Sequence, residues 1–109
     1  VLDKPEMLET RAMSARDIEA RLLARCLAVA SDQDGQAAQD QREANVFRLA
    51  AMVIQSRFVD ESSLLMQASE GYFAAHPGER LAPAEVIRKG WVLSLPRLRD
   101  ILTFRFSVR

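Results

Sequence analysis

The chain has one cysteine, one histidine, one tryptophan and one tyrosine in 109 residues, and its four glycines stand apart at positions 35, 71, 78 and 90. Each scarcity removes a class of chemistry. A single Cys26 excludes an internal disulfide and a cysteine-based zinc site. Because it lies in an apolar helical run, it reads as a buried structural thiol, unreactive for want of thiolate. His76 precedes Pro77 in a turn signal, and a general base or metal ligand needs a second histidine or an orienting carboxylate that no spacing here supplies. Isolated glycines cannot form a phosphate-cradling loop. No apolar run approaches the roughly 20 residues needed to cross a bilayer. The opening "VLDKPEMLETRAMS" has no apolar signal core, so a cytoplasmic location is expected. These absences lead us to expect a protein that is not an enzyme and carries no cofactor or metal.

Net charge is also missing: 15 basic residues balance 15 acidic ones, so no overall field draws the chain to nucleic acid or an anionic membrane. The distribution is uneven. Residues 1–87 hold nine Lys/Arg against fourteen Asp/Glu, whereas residues 88–109 hold six against Asp100 alone. A cationic tail on an acidic body can mark an anion-binding face. Thirteen of the fifteen basic residues are arginine, a bias that points to a GC-rich, bacterial coding sequence.

What is present in excess is apolar material. The hydrophobic fraction is 49% without glycine, while typical domains reach about 45–50% only with glycine counted. Some of that surface is expected to be covered by a second chain. The periodicity is helical throughout, which predicts an all-α single domain, a compact bundle of four to five helices over residues 14–109. Residues 1–13 are expected to form a disordered or loosely attached lead.

Ser14 and Asp17 have capping-box spacing before "ARDIEARLLARCLAVA", where Ile18, Leu22, Cys26 and Val29 recur on one face and Glu19 and Arg21 turn to water. After the turn formers and Gly35, a second helix spans about residues 39–58. Phe47, Ala51, Ile54 and Phe58 form one stripe of it, and Val46, Leu49 and Val53 another. The resulting apolar arc of about 200° exceeds an ordinary surface helix's ~100°. Such a helix is central or shared, so Val46, Leu49 and Val53 are candidates for self-association as a homodimer. Asp60 caps a third helix that carries Gly71 in its interior, where another backbone is expected to approach closely, and Pro77 and Gly78 stop it. Pro83 opens a short helix, Gly90 closes it, and Ser94 caps a last one. The terminal "FRFSVR" alternates strictly. Helix is expected through about Phe104, followed by a short extended end.

Aromatic and arginine residues are the commonest anchors of protein interfaces. Trp91, Arg97, Arg99, Phe104, Arg105 and Phe106 are therefore the candidate partner-binding residues, with the basic rim steering an acidic partner. The functional expectation is a small bacterial interaction protein of antiactivator or adaptor type, masking a surface of a transcriptional regulator or another partner. The alternative is a DNA-binding regulator that uses the helix-turn-helix-like segment 83–105. Two features weigh against it: Arg97 and Arg99 diverge by about 200° around a helix, and the acidic body repels phosphate.

Overall fold

The computed structural model describes residues 13–33 and 36–108. The expected lead at residues 1–13, apart from residue 13 itself, and Gly35 lie outside the described residues. The described chain is all-helical: α1 (Ala15–Ala30), α2 (Gln41–Ile54), α3 (Val59–Ala75), α4 (Pro83–Arg88) and α5 (Leu95–Ser107). Helix α2 is the hub. It packs along α3 and also meets α1, α4 and α5, which is why its apolar arc is so wide. The core gathers Phe47, Ile54, Leu65, Phe73, Leu98 and Leu102 around it.

Local chemistry sets the helix starts. Ser14 and Asp17 form a reciprocal capping box on α1, each side chain bonding the other's backbone N–H. Asp40 accepts the Glu43 N–H at 2.9 Å and caps α2, and Ser94 does the same for α5 through Arg97. Helix α3 begins instead at Phe58 with no side-chain cap. Asp60, expected as that cap, lies in the first turn, where its charge favours the helix dipole. Helix α2 stops at Ile54, short of the expected Phe58, because the chain turns there: the N–H groups of Arg57 and Phe58 both bond the Ile54 carbonyl. Gly90 has φ +81°, the left-handed conformation that ends α4. At Gly71 a Cβ would meet the Ala37 methyl at 3.3 Å. The adjacent Ala38 N–H donates to the Ala68 carbonyl at 3.0 Å, so the 36–40 segment does press against α3 there.

The C-terminal alternation is not extended chain. Helix α5 continues to Ser107, and at about 100° per residue Phe104 and Phe106 fall on opposite sides of it. Phe106 is 5% exposed and its ring stands 5.3 Å from that of Phe58. Phe104 is 65% exposed.

Two buried polar residues fasten the loops. Asn45 of α2 donates to the Glu79 carbonyl at 3.0 Å and accepts the Leu81 N–H at 2.8 Å. Gln41 adds a third bond to the same loop, to the Glu79 carbonyl. Glu19 of α1, expected in water, is 2% exposed. One of its oxygens accepts the Leu93 N–H at 2.6 Å, and the other accepts from the Arg97 guanidinium.

Candidate protein-docking groove

A depression of about 440 Å³ runs between α1 and α5. On α1 it is lined by Arg16, Glu19, Ala20, Leu23, Ala24 and Leu27. These recur every three to four residues, so they form one longitudinal strip about 16 Å long at 1.5 Å rise per residue. Ala20 and Ala24 are what make the strip a trough: their methyl groups leave room that longer side chains on the same face would fill. The opposite wall is Arg97, Ile101, Phe104 and Arg105 of α5. Floor and wall are therefore apolar, with guanidinium groups at the rim.

The electrostatics of the groove are one-sided. Among the described residues Glu19 is its only carboxylate, and both oxygens are engaged, by Leu93 and Arg97. Arg16 and Arg105 make no ion pair with any described residue. The groove thus offers uncommitted positive charge beside exposed hydrocarbon.

The six expected partner-binding residues divide. Arg97, Phe104 and Arg105 are brought together in this groove. Phe106 is withdrawn from any contact surface, because it closes the core against Phe58. Trp91 lies elsewhere, half-buried at the α4–α5 turn with the Arg42 guanidinium 5.5 Å and the Lys89 ammonium 5.6 Å from its ring. Arg99 faces a different hollow, with Val53, Leu95 and Pro96. The proposed self-association stripe also divides. Val46 and Leu49 are fully enclosed by the chain's own helices and leave nothing for a second copy to touch, whereas Val53 is half-buried beside Arg99. Sequence reasoning missed α1's contribution altogether. The available signal was the Ala20–Ala24 pair beside Leu23 and Leu27, four small or apolar positions on a strip that also carries Arg16.

Cys26 and His76 sit in different surroundings, and His76 has beside it a carboxylate, Glu79, that sequence spacing does not reveal. Cys26 is fully buried; desolvation pushes its thiol well above the ordinary range, and the Glu43 carboxylate adds to that. His76 is exposed, stacks on Tyr72 at 4.1 Å, and places Nδ1 3.6 Å from the Glu79 carboxylate. Among the described residues no three His, Cys, Asp or Glu side chains are grouped so as to hold a metal ion. No described helix is long and apolar enough to cross a membrane. Comparison with protein-family models, with curated proteins and with solved structures returns no match.

Proposed function

We propose that this chain is a small protein-binding module that works by occlusion. It seats an apolar element of another protein in the α1–α5 groove and so withholds that element from other contacts. A bacterial antiactivator or adaptor masking the contact face of a transcriptional regulator is the biological role this mechanism fits. The observation that carries the reading is Phe104, 65% exposed on the wall of an apolar trough, while the neighbouring Leu102 and Phe106 are buried.

Magnitudes identify the anchor. A phenylalanine buries 150–250 Å², so covering the exposed part of Phe104 removes roughly 130 Å² from water and contributes about 3 kcal/mol at ~25 cal/mol per Å². An exposed ion pair at Arg16 or Arg105 contributes only ~0.2–1 kcal/mol. The ring therefore supplies affinity, and the arginines supply approach and orientation. Loss of Phe104 removes most of the binding, whereas loss of one rim arginine slows association. The DNA-binding alternative draws less support. In segment 83–105 the Arg88 guanidinium faces Glu85, Arg97 is held by the buried Glu19, and Arg99 lies 3.7 Å from Asp100. Those three cations already face carboxylates, which leaves Lys89 and Arg105 as the segment's basic residues without an ion pair among the described residues.

Photo-crosslinking in the source cell tests the reading. A benzophenone amino acid is placed at position 104 and, as a control, at the equally exposed Val59. A discrete protein adduct from position 104 and none of that mass from position 59 is the expected result. Adducts that are identical from both positions, or absent from position 104, refute protein binding through this groove.

A further inference from the structure

Resting on the protein-binding reading above, we propose that the groove's occupant is an amphipathic helix of another protein, apolar along one stripe and acidic on its flanks. Shape selects a helix. The trough is walled by two helices, floored by Ala20 and Ala24, and is about 16 Å long, the length of some three helical turns. Helix-in-groove docking presents anchors at i, i+3 or i+4, and i+7, and this repeat matches the strip on α1. The other common peptide modes lack their receptors here. Strand addition needs a sheet edge, and there is no strand among the described residues. Polyproline recognition needs a groove lined by several aromatic rings, and among the described residues Phe104 is the only ring on this one.

Charge selects the flanks. Arg16 stands at one end of the α1 strip, Arg105 stands beside Phe104 on the opposite wall, and neither is ion-paired with a described residue. Arg97 is engaged by Glu19 yet keeps 42% of its side chain exposed, so a partner's carboxylate can share it. Because Glu19 has both oxygens occupied, no acidic group among the described residues of the groove is left to attract a basic peptide. An incoming helix with Asp or Glu on both sides of its apolar stripe would meet a guanidinium on each side. A helix flanked by Lys or Arg would be repelled at the same places.

The test is a selection from a phage-displayed library of random 16-residue peptides, with the intact chain as bait and Phe104→Asp as counter-bait. Phe104 and Arg105 are exposed, so each variant is expected to retain the native helix content, which circular dichroism checks. The expected consensus has apolar residues at i, i+3 or i+4, and i+7, with Asp or Glu on the flanks, and is lost on the counter-bait. A synthetic peptide of that consensus should bind the Arg16→Glu, Arg105→Glu double variant at least tenfold more weakly in fluorescence anisotropy. The same peptide with Lys in place of its flanking acids should recover affinity for that variant. A basic or proline-rich consensus, enrichment indifferent to Phe104→Asp, or no enrichment overturns the proposal. So does a chain that sediments as a dimer dissolved by Phe104→Asp, which would make a second copy the occupant. The crosslink separates the two levels: an adduct at position 104 with a basic consensus refutes only the partner's chemistry, whereas no adduct refutes docking itself.

Discussion

Asn45 and Glu19 are each 2% exposed, and each holds a loop by its backbone. They do so in different currencies. Asn45 brings both a donor and an acceptor, so one neutral amide satisfies the Leu81 N–H and shares in the Glu79 carbonyl without help from a charge. Glu19 can only accept. Its second oxygen needs a cation, and the structure supplies one from 78 residues away, Arg97 at the start of α5. The neutral clamp is sealed within the fold. The ionic clamp necessarily brings a guanidinium to the surface, and that surface is the end of the α1–α5 groove. Holding a loop and equipping the proposed binding face are therefore the same act at Glu19, whereas at Asn45 the polar group serves the fold alone.

The sharpest way to break this pairing is Arg97→Ala. It leaves the Glu19 carboxylate buried with one N–H, and removing one partner of a buried pair costs about 3 kcal/mol, at the low end because Arg97 itself is partly solvated. Urea denaturation should show a lower midpoint with an unchanged slope. Asn45→Ala comes next, at about 2 kcal/mol, since it removes the acceptor of the part-buried Leu81 N–H and one bond to the Glu79 carbonyl. Glu19→Gln should cost only about 1 kcal/mol, because the amide oxygen still accepts from Leu93 and no buried charge remains. An Arg97→Ala variant no less stable than Glu19→Gln would mean that leaving the Glu19 carboxylate unpaired carries no penalty and that the contrast between the clamps is wrong.

The contrast also marks what could be read from the chain. Capping is local chemistry, so Ser14 with Asp17, Ser94 and the stop at Gly90 were all legible from a few neighbouring residues. The burial of Cys26 and the hub-like width of α2 followed from periodicity. Glu19 was assigned to solvent because its burial depends on Arg97 and Leu93, far away in sequence, and no window on α1 contains them. The two terminal phenylalanines failed for another reason: strict alternation is compatible with a strand or with two opposite sides of a helix, and only the Phe58 ring against Phe106 decides between them. Half of the groove was visible as a basic, aromatic C-terminus. The other half, the Ala20–Ala24 trough, carries no distinctive residue type and becomes a feature only when α5 lies beside it.

A smaller effect sharpens the account of the neutral clamp. The Tyr72 hydroxyl donates to the Glu79 carboxylate at 2.5 Å. This bond above all, then partial burial and the negative charges of Glu79 and Asp40, pushes its pKa up to about 12. A phenol held neutral in the folded state contributes stability that is fully present below its ordinary value of 10 and fades as pH rises through about 12. Tyr72 is the only tyrosine, so the ultraviolet absorbance of tyrosinate reports it directly. Native chain should titrate near 12 and urea-unfolded chain near 10. Tyr72→Phe should flatten the corresponding part of the alkaline stability profile, and coincident titrations in the folded and unfolded states would rule out the bond to Glu79.

The smallest stability change is expected at the residue assigned the largest functional one. Phe104 is mostly in water, and exposed substitutions fall within about 0.5 kcal/mol. Phe104→Ser should therefore leave the thermal midpoint unchanged to within the few degrees that such a difference produces. It would also remove an exposed apolar ring that costs solubility in the unbound chain, so the variant should be, if anything, less prone to aggregate. Placing such a ring on a helix whose other large apolar residues are covered has no benefit for folding, and that is the physical basis for reading it as a contact. A measured loss of stability comparable to Asn45→Ala would show that Phe104 is packed in solution, closing the trough from above. In that case the groove is part of the core and the ionic clamp at its end serves the fold alone, as its neutral counterpart does.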